Sequence, residues 1–255
     1  MTPFRLLTFF GLMALLVTAC STPRPVAPET TEDLELADIS HDSLLSLIPD
    51  YSSELTTING TGRAIISEPG NSERVTLEFQ SNRSTSLIEI RTSGGIRGGE
   101  ILVDQDSLLI YNRVDNYAEK VSIEQSDRSS VGSIASLNML DLFNFTLTAD
   151  DIDQIFDGGD TYIVLLQNEA LVTVSKSDGL IQEVFQSSNQ ESVPYRRIEY
   201  EGYGTIDNFQ LPRKMTILSR DENSRATFLV QRLEVNQTLP TLTLDIPDNI
   251  PIYRR

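Results

Sequence analysis

Alternation of apolar and polar residues with a period of two dominates the chain from residue 58 to residue 235. In the clearest segment Val75, Leu77 and Phe79 alternate with polar residues. This gives a β-strand one apolar face and one solvated face. Asp178-Gly179 is a typical hairpin turn between two such segments. The pattern predicts an antiparallel meander with strands at 58–66, 74–80, 86–91, 100–103, 107–112, 118–123, 162–168, 170–176, 180–186, 195–200, 213–219 and 226–235.

Three segments have a helical pattern instead. Residues 33–55 carry apolar side chains at helical spacing, with Pro49 as a break, and predict one amphipathic helix with a further turn. Residues 129–145 and 148–156 predict short helices inserted between two groups of strands. The second has Thr148 at its start, followed by acidic residues that suit a first helical turn. The fold class is therefore mainly β with helices (α+β).

The N-terminus has the features of an export signal. Arg5 precedes an apolar run over residues 6–17 and a small-residue cleavage site. The run of about twelve residues is too short for a membrane-spanning helix, which needs roughly twenty. Residues 16–20, Leu-Val-Thr-Ala-Cys, resemble the bacterial lipobox, which implies cleavage before Cys20 and lipidation of its thiol. An ordinary secretory signal is the alternative.

Lipidation also accounts for the cysteine count. Cys20 is the only cysteine, so in an oxidising compartment it has no partner for a disulfide. Residues 21–31 are rich in Pro, Thr and Ser and predict a flexible tether. The predicted organisation is a signal peptide at 1–19, a lipidated cysteine and tether at 20–32, and one half-barrel domain at 33–255.

Charge and chemistry narrow the function. The net charge of −17 argues against nucleic acid as a partner, which needs a basic footprint. It also argues against broad electrostatic docking on anionic lipid, so the acyl chains would be the membrane anchor. The single histidine, His41, falls in the predicted N-terminal helix. With no second cysteine, neither a catalytic thiolate nor a Cys/His zinc site is expected, and no catalytic residue, metal or cofactor is predicted.

Two features allow alternative interpretations. Asp150, Asp151 and Asp153 could hold a glycosidase-type pair of carboxylates, although their position favours helix-start electrostatics. Residues 93–99, Ser-Gly-Gly-Ile-Arg-Gly-Gly, lie between two predicted strands without the lysine of a phosphate-binding loop. They predict a flexible hairpin connection with Ile96 at its tip, either functional or a plain mobile turn.

The whole arrangement resembles the LolA/LolB-like superfamily of lipoprotein carriers and receptors. Residues 87–120, with the core 104–113, Asp-Gln-Asp-Ser-Leu-Leu-Ile-Tyr-Asn-Arg, and residues 211–215, Leu-Pro-Arg-Lys-Met, are similar to a family of uncharacterised envelope lipoproteins within it. The resemblance implies a half-open antiparallel β-barrel whose concave face is covered by a helical lid. An apolar cavity between them would shield acyl chains.

Carried over by position, the resemblance suggests several site residues. Ile96 becomes the candidate membrane or cargo loop. Arg83 and Arg91 lie in the part of the chain where the soluble carriers have an arginine that locks the lid. The candidate cavity wall consists of Val75, Leu77, Phe79, Ile88 and Ile90.

Two functional hypotheses result. In the first, the protein is a non-enzymatic, lipid-anchored outer-membrane lipoprotein, facing the periplasm, that binds acyl chains of lipoproteins or other lipids and assists their localisation. In the second, the same fold has a filled core and acts as a structural or scaffolding lipoprotein with envelope protein partners. An apolar cavity favours the first, whereas a solid core with an exposed apolar patch favours the second.

Overall fold

A computed structural model of the protein describes residues 28–92, 94–123, 134–187 and 193–254. The predicted signal peptide, Cys20, most of the tether and the start of the predicted 129–145 helix lie outside the described residues. The helices are α1 (His41–Leu47) and α2 (Met139–Phe143), with one 3-10 turn at Ala149–Asp151. The strands are β1 (Glu35–Leu36), β2 (Thr57–Glu68), β3 (Asn71–Asn82), β4 (Ser86–Thr92), β5 (Arg97–Val103), β6 (Ser107–Asn112), β7 (Tyr117–Ser122), β8 (Ile152–Asp157), β9 (Thr161–Leu166), β10 (Leu171–Ser175), β11 (Ile181–Phe185), β12 (Tyr195–Glu201), β13 (Gly204–Ile206), β14 (Phe209–Leu211), β15 (Lys214–Ser219), β16 (Arg225–Val235) and β17 (Ile252–Arg254).

Fifteen of the strands form one sheet, in the order β1-β8-β9-β10-β11-β12-β15-β16-β2-β3-β4-β5-β6-β7-β17. Neighbours are antiparallel except β17, which pairs parallel to β7. Strands β13 and β14 make a separate hairpin. Within the described residues the edge strands β1 and β17 do not pair with each other, so the sheet is not a closed barrel. The mainly β fold and its antiparallel meander are as predicted.

The sheet is strongly curved. Strands β5 and β12 are six positions apart in the strand order, which is about 29 Å in a flat sheet. Yet Val103 of β5 and Ile198 of β12 line one cavity. The apolar faces of the two halves of the sheet also contribute to one core cluster with side chains from α1 and α2. The main core therefore lies on a concave face, and a smaller separate cluster is formed by Phe156, Ile163, Leu171 and Phe185.

Aromatic rings and glycines fit together at the centre of the concave face. Phe79 of β3 contacts Phe228 of β16 edge to face, with ring centroids 5.6 Å apart. Gly60 and Gly62 of β2 lie beneath these rings. A Cβ built on Gly60 would lie 2.7 Å from Cζ of Phe79, and one on Gly62 would lie 2.3 Å from Cε2 of Phe228. The glycines thus leave the space that the rings fill.

The N-terminal helix is shorter than predicted. Only residues 41–47 are helical, and Ser40 caps them by accepting a hydrogen bond from the amide of Ser43 at 3.2 Å. Glu35 and Leu36 instead pair with β8. Leu34 and Leu36 have the two-residue spacing of a strand, which the helical interpretation of the segment overlooked.

The predicted 148–156 helix is wrong beyond its first turn. Thr148 donates two hydrogen bonds to the Asp151 carboxylate, from its amide at 2.8 Å and its hydroxyl at 2.6 Å. This closes a single 3-10 turn, after which β8 begins at Ile152 and pairs with β9. The apolar residues of β8 are β-branched or aromatic, which favours a strand. The short strands β1, β13, β14 and β17 were also missed.

Candidate ligand-binding cavity

The segment of residues 134–147, which connects the two halves of the meander, is held on the concave face by buried polar contacts. Ser81 and Ser86, fully buried on the β3–β4 hairpin, hydrogen-bond to each other at 2.6 Å. Ser81 donates to Oδ1 of Asn138, and Ser86 accepts from the amide of Met139 at 2.8 Å. Asn138 also caps α2 by accepting from the amide of Leu140. Helix α2 therefore begins where the hairpin satisfies its free amides.

Apolar contacts complete the docking of α2. Met139, Leu140, Leu142 and Phe143 are all buried. The ring of Phe143 stacks on Phe79 with centroids 5.7 Å apart. This end of the concave face is therefore filled by side chains.

Beside α2 a cavity of about 420 Å³ remains between the connecting segment, the β5–β6 turn and the start of β12. Its volume falls within the usual range for small-molecule sites, roughly 300–1,000 Å³. Most of the exposed surface inside it is apolar. Its apolar lining consists of Val103, Ile123, Leu137, Leu142, Phe145, Pro194, Tyr195, Ile198 and Tyr200.

Polar residues lie along the solvent-exposed rim of this cavity. Nη2 of Arg83 donates to the carbonyl oxygen of Leu55 at 3.0 Å. Partial desolvation raises the pKa of Asp141, and the Arg83 guanidinium is near enough to oppose that shift. For Asp104, desolvation is outweighed by hydrogen bonds from Asp106 and Ser107, so its pKa is lowered. Among the described residues that line the cavity, Arg83, Asp104 and Asp141 are ionisable, and Lys120 is near enough to Asp104 to act on its carboxyl group.

Phe145 and Tyr200 separate this cavity from a second void. They line both spaces, and the second holds only about 30 Å³. Burial raises the pKa of Tyr200 well above its usual value, so its hydroxyl stays protonated at neutral pH. The hydroxyl of Tyr195 accepts a hydrogen bond from Gln186 at 3.1 Å. Phe145 and Tyr200 therefore close the inner end of the larger cavity.

The five residues expected to form the cavity wall share one strand face, since Phe79 pairs with Ile88 and Leu77 pairs with Ile90. They all belong to or pack against the concave core, but they lie outside the lining of the 420 Å³ cavity. Phe79 lies under α2. The actual lining comes from turns, strand starts and the connecting segment, whose proximity a two-residue period cannot indicate.

The structure separates the two candidate arginines. Arg83 is on the cavity rim. Arg91 is on the opposite face of the sheet, where its Nε lies 2.7 Å from Glu89 and 3.1 Å from Glu78. Arg83 is thus the one of the two that adjoins the concave side.

Ile96 lies at the exposed end of the β4–β5 hairpin, with 66% of its surface accessible. The amide of Arg113 donates to the carbonyl oxygen of Gly98 at 3.0 Å, which brings the β6–β7 turn alongside. Val114 in that turn is 64% exposed. Two apolar side chains therefore project from neighbouring hairpin ends.

The acidic residues considered for hydrolysis lie away from this cavity. Asp151 is engaged by Thr148, and the Thr148 hydroxyl hydrogen bond is the main reason that the pKa of Asp151 is lowered. Asp150 belongs to the same turn and Asp153 to the start of β8. Among the described residues, no group of three or more His, Cys, Asp or Glu side chains could hold a metal ion. His41 opens α1.

A larger concavity of about 540 Å³ lies on the opposite, convex face. Its lining includes the charged residues Glu183, Glu199 and Lys214. At its edge Glu29 lies 2.7 Å from Nη2 of Arg197. The residues that come after the predicted anchor thus contact the convex side, away from the apolar cavity.

Comparisons with solved structures identify related folds. A LolA superfamily protein from Nitrosomonas europaea superposes with a TM-score of 0.54 at 13% identity, over 79% of this chain and 96% of that chain. An outer membrane lipoprotein-sorting protein domain from Vibrio parahaemolyticus gives 0.51 at 10% identity, over 78% and 92%. A DUF1329 family protein from Desulfovibrio piger gives 0.51 at 14% identity, over 74% and 89%.

These likenesses confirm the predicted LolA-like fold, and at such low identities they concern the fold alone. The sequence matches no family model and no curated protein. Within the described residues no helix is both long and apolar enough to span a membrane.

Proposed function

We propose that this protein is a non-enzymatic envelope lipoprotein that binds an apolar ligand, an acyl chain of a lipoprotein or lipid, in the 420 Å³ cavity. The observation that carries the proposal is this largely apolar space on the concave side of a LolA-like fold. Val75, Leu77, Phe79, Ile88 and Ile90 then belong to the concave wall outside this cavity, where α2 packs on Phe79. The biological role would be lipoprotein or lipid localisation.

The proposal includes a lipid anchor on Cys20 and a periplasm-facing position at the outer membrane. Ser21 follows the cysteine without an acidic retention signal, which favours outer-membrane sorting. Two or three acyl chains, at about 0.8 kcal/mol per buried methylene, hold a protein on a membrane almost permanently. The residues from Cys20 to Ala27 then link the membrane to the convex face, where Glu29 contacts Arg197.

Ile96 is proposed as a membrane or cargo contact. Its exposure on a hairpin end, beside the equally exposed Val114, supports this role. Burying both side chains in a bilayer surface would remove apolar area from water, at roughly 25 cal/mol per Å². The contact would be hydrophobic, in keeping with the acidic net charge of the chain.

A scaffolding role is the second candidate, and one observation favours it. Ile252 and Tyr253 of the edge strand β17 are about half exposed, and the ring of Tyr253 contacts Tyr117 of β7. An edge strand with exposed apolar side chains can bind a strand from an envelope protein partner. In that case the concave cavity would have no ligand.

Native mass spectrometry tests the ligand. The chain from Ser21 to Arg255 contains every described residue and would be purified from the envelope without detergent. We expect it to carry a lipid or lipopeptide, which is lost when the half-buried lining residue Leu137 is changed to arginine. The matched control is Leu229→Arg, on the exposed convex face. A bare mass, together with no uptake of a fluorescent acyl probe, would favour the scaffold.

The anchor has its own test. The full-length protein carrying Cys20→Ser should move from the membrane fraction to the soluble periplasmic fraction and should no longer incorporate labelled palmitate. Unchanged fractionation of this variant would contradict lipidation of Cys20.

A further inference from the structure

The volume of the concave cavity limits how many acyl chains it can hold. A methylene fills about the same volume as a water molecule, roughly 30 Å³. The 420 Å³ cavity therefore has room for about fourteen methylenes. This is one acyl chain of ordinary length, whereas a triacylated lipoprotein would bring about three times that volume. The neighbouring 30 Å³ void, behind Phe145 and Tyr200, adds space for about one methylene.

The rim indicates which headgroup would accompany the chain. Arg83 hydrogen-bonds to Leu55 through Nη2, and its guanidinium carries further donors in the fixed geometry that binds phosphate. Asp141 and Asp104 lie on the same rim. A purely anionic headgroup at Arg83 would lie near the carboxyl groups of Asp50 and Asp141, both of which interact with Arg83. A headgroup with both a phosphate and an ammonium group would find a partner for each charge.

We infer that the cavity binds one single-chain zwitterionic lipid, with its acyl chain between Leu137, Phe145 and Ile198 and its phosphate at Arg83. This inference rests on the proposed function, since it requires an apolar ligand in the same cavity. It narrows the ligand to the lysophospholipid class. The three chains of a triacylated lipoprotein would need about three times the volume of this cavity.

Displacement of a fluorescent single-chain acyl probe from the Ser21–Arg255 chain tests both the number of acyl chains bound and the choice of headgroup. The competitors are lysophosphatidylethanolamine, palmitate, a neutral monoacylglycerol and a triacyl lipopeptide. We expect one lysophosphatidylethanolamine per protein chain and the tightest binding for this ligand. Affinity should rise about fourfold per methylene up to about fourteen carbons and then level off.

Variants assign the binding to the cavity. Leu137→Trp and Ile123→Trp each fill the cavity, from two different sides, so each variant should lose binding. Circular dichroism checks that each variant is folded, and if one folds poorly the other carries the test. Arg83→Gln should weaken lysophosphatidylethanolamine about two- to fivefold, as expected for an exposed ion pair, and leave monoacylglycerol unchanged. Arg63→Gln on an exposed part of β2 is the matched control.

The possible failures are distinguishable. If the triacyl lipopeptide binds as tightly as the lysophospholipid with all its chains protected, the single-chain inference is overturned and the proposed function stands. If palmitate binds as tightly as the lysophospholipid, the headgroup assignment is overturned. If neither the probe nor any competitor binds, the proposed function fails together with the inference.

Discussion

Replacing Gly62 with alanine would test the packing of aromatic rings on glycine at the centre of the sheet. The new Cβ would lie 2.3 Å from Cε2 of Phe228 and 2.6 Å from the carbonyl oxygen of Leu229. The ring can turn only against the core, and the carbonyl belongs to the backbone of the neighbouring strand β16. Overpacking of this kind costs about 1–3 kcal/mol. We therefore expect the free energy of unfolding to fall by about that amount.

The matched control is Gly98→Ala in β5. Its Cβ would lie 3.6 Å from the carbonyl oxygen of Ile90, an ordinary contact. Alanine there should be neutral or should stabilise by about 0.4–1 kcal/mol through the unfolded state. Because the chain has no tryptophan, urea unfolding would be followed by circular dichroism. A Gly62→Ala protein as stable as Gly98→Ala would refute the packing argument.

Two further predictions concern stability and pH. Phe79→Ala should lower the free energy of unfolding by about 3–5 kcal/mol, because the ring is almost fully buried against Phe143 and Phe228; a loss below about 1 kcal/mol in urea unfolding would contradict this packing. Asp151→Asn should cost less than about 1 kcal/mol at pH 7. Hydrogen bonding lowers the pKa of Asp151 below the ordinary 3.8, so its contribution is present above about pH 4 and is lost as the pH falls through the folded-state pKa. The stability difference between wild type and variant should therefore shrink in acid, and a difference that grows below about pH 4 would be inconsistent with this hydrogen bonding.

The strands were predictable from the sequence where each has one apolar and one polar face. The predicted 107–112 strand has the same bounds as β6, because its alternation is bordered by clear turn residues. Prediction failed where strands are short or where a capping pattern precedes them. Thr148 and Asp151 have the sequence of a helix start, yet pairing with β9 makes the residues from Ile152 onward a strand.

The cavity was less predictable than the fold. The expected wall residues lie in strands where apolar and polar residues alternate most clearly. Such alternation indicates that the apolar side chains are buried, and it does not indicate an open cavity beside them. The lining residues Ile123, Leu137 and Pro194 lie in irregular segments. Their proximity depends on the curvature of the sheet and on the docking of α2 through Ser81 and Ser86. Two rim residues figure in the sequence analysis through the resemblance, namely Arg83 and Asp104, the first residue of the 104–113 motif.

The pairing of β2 with β16 has a consequence for how the chain folds. These long strands join the two halves of the sheet, and Asn59 and Glu234, which are 175 residues apart, contact each other across them. Strands β2 to β7 can form a local meander by themselves, but the free edge of β2 has no partner until nearly the whole chain is available. Such distant contacts slow folding, and the open edge is a site for misassociation in the meantime. The edge of β2 is therefore the part of the N-terminal half that stays open to misassociation until β16 pairs with it.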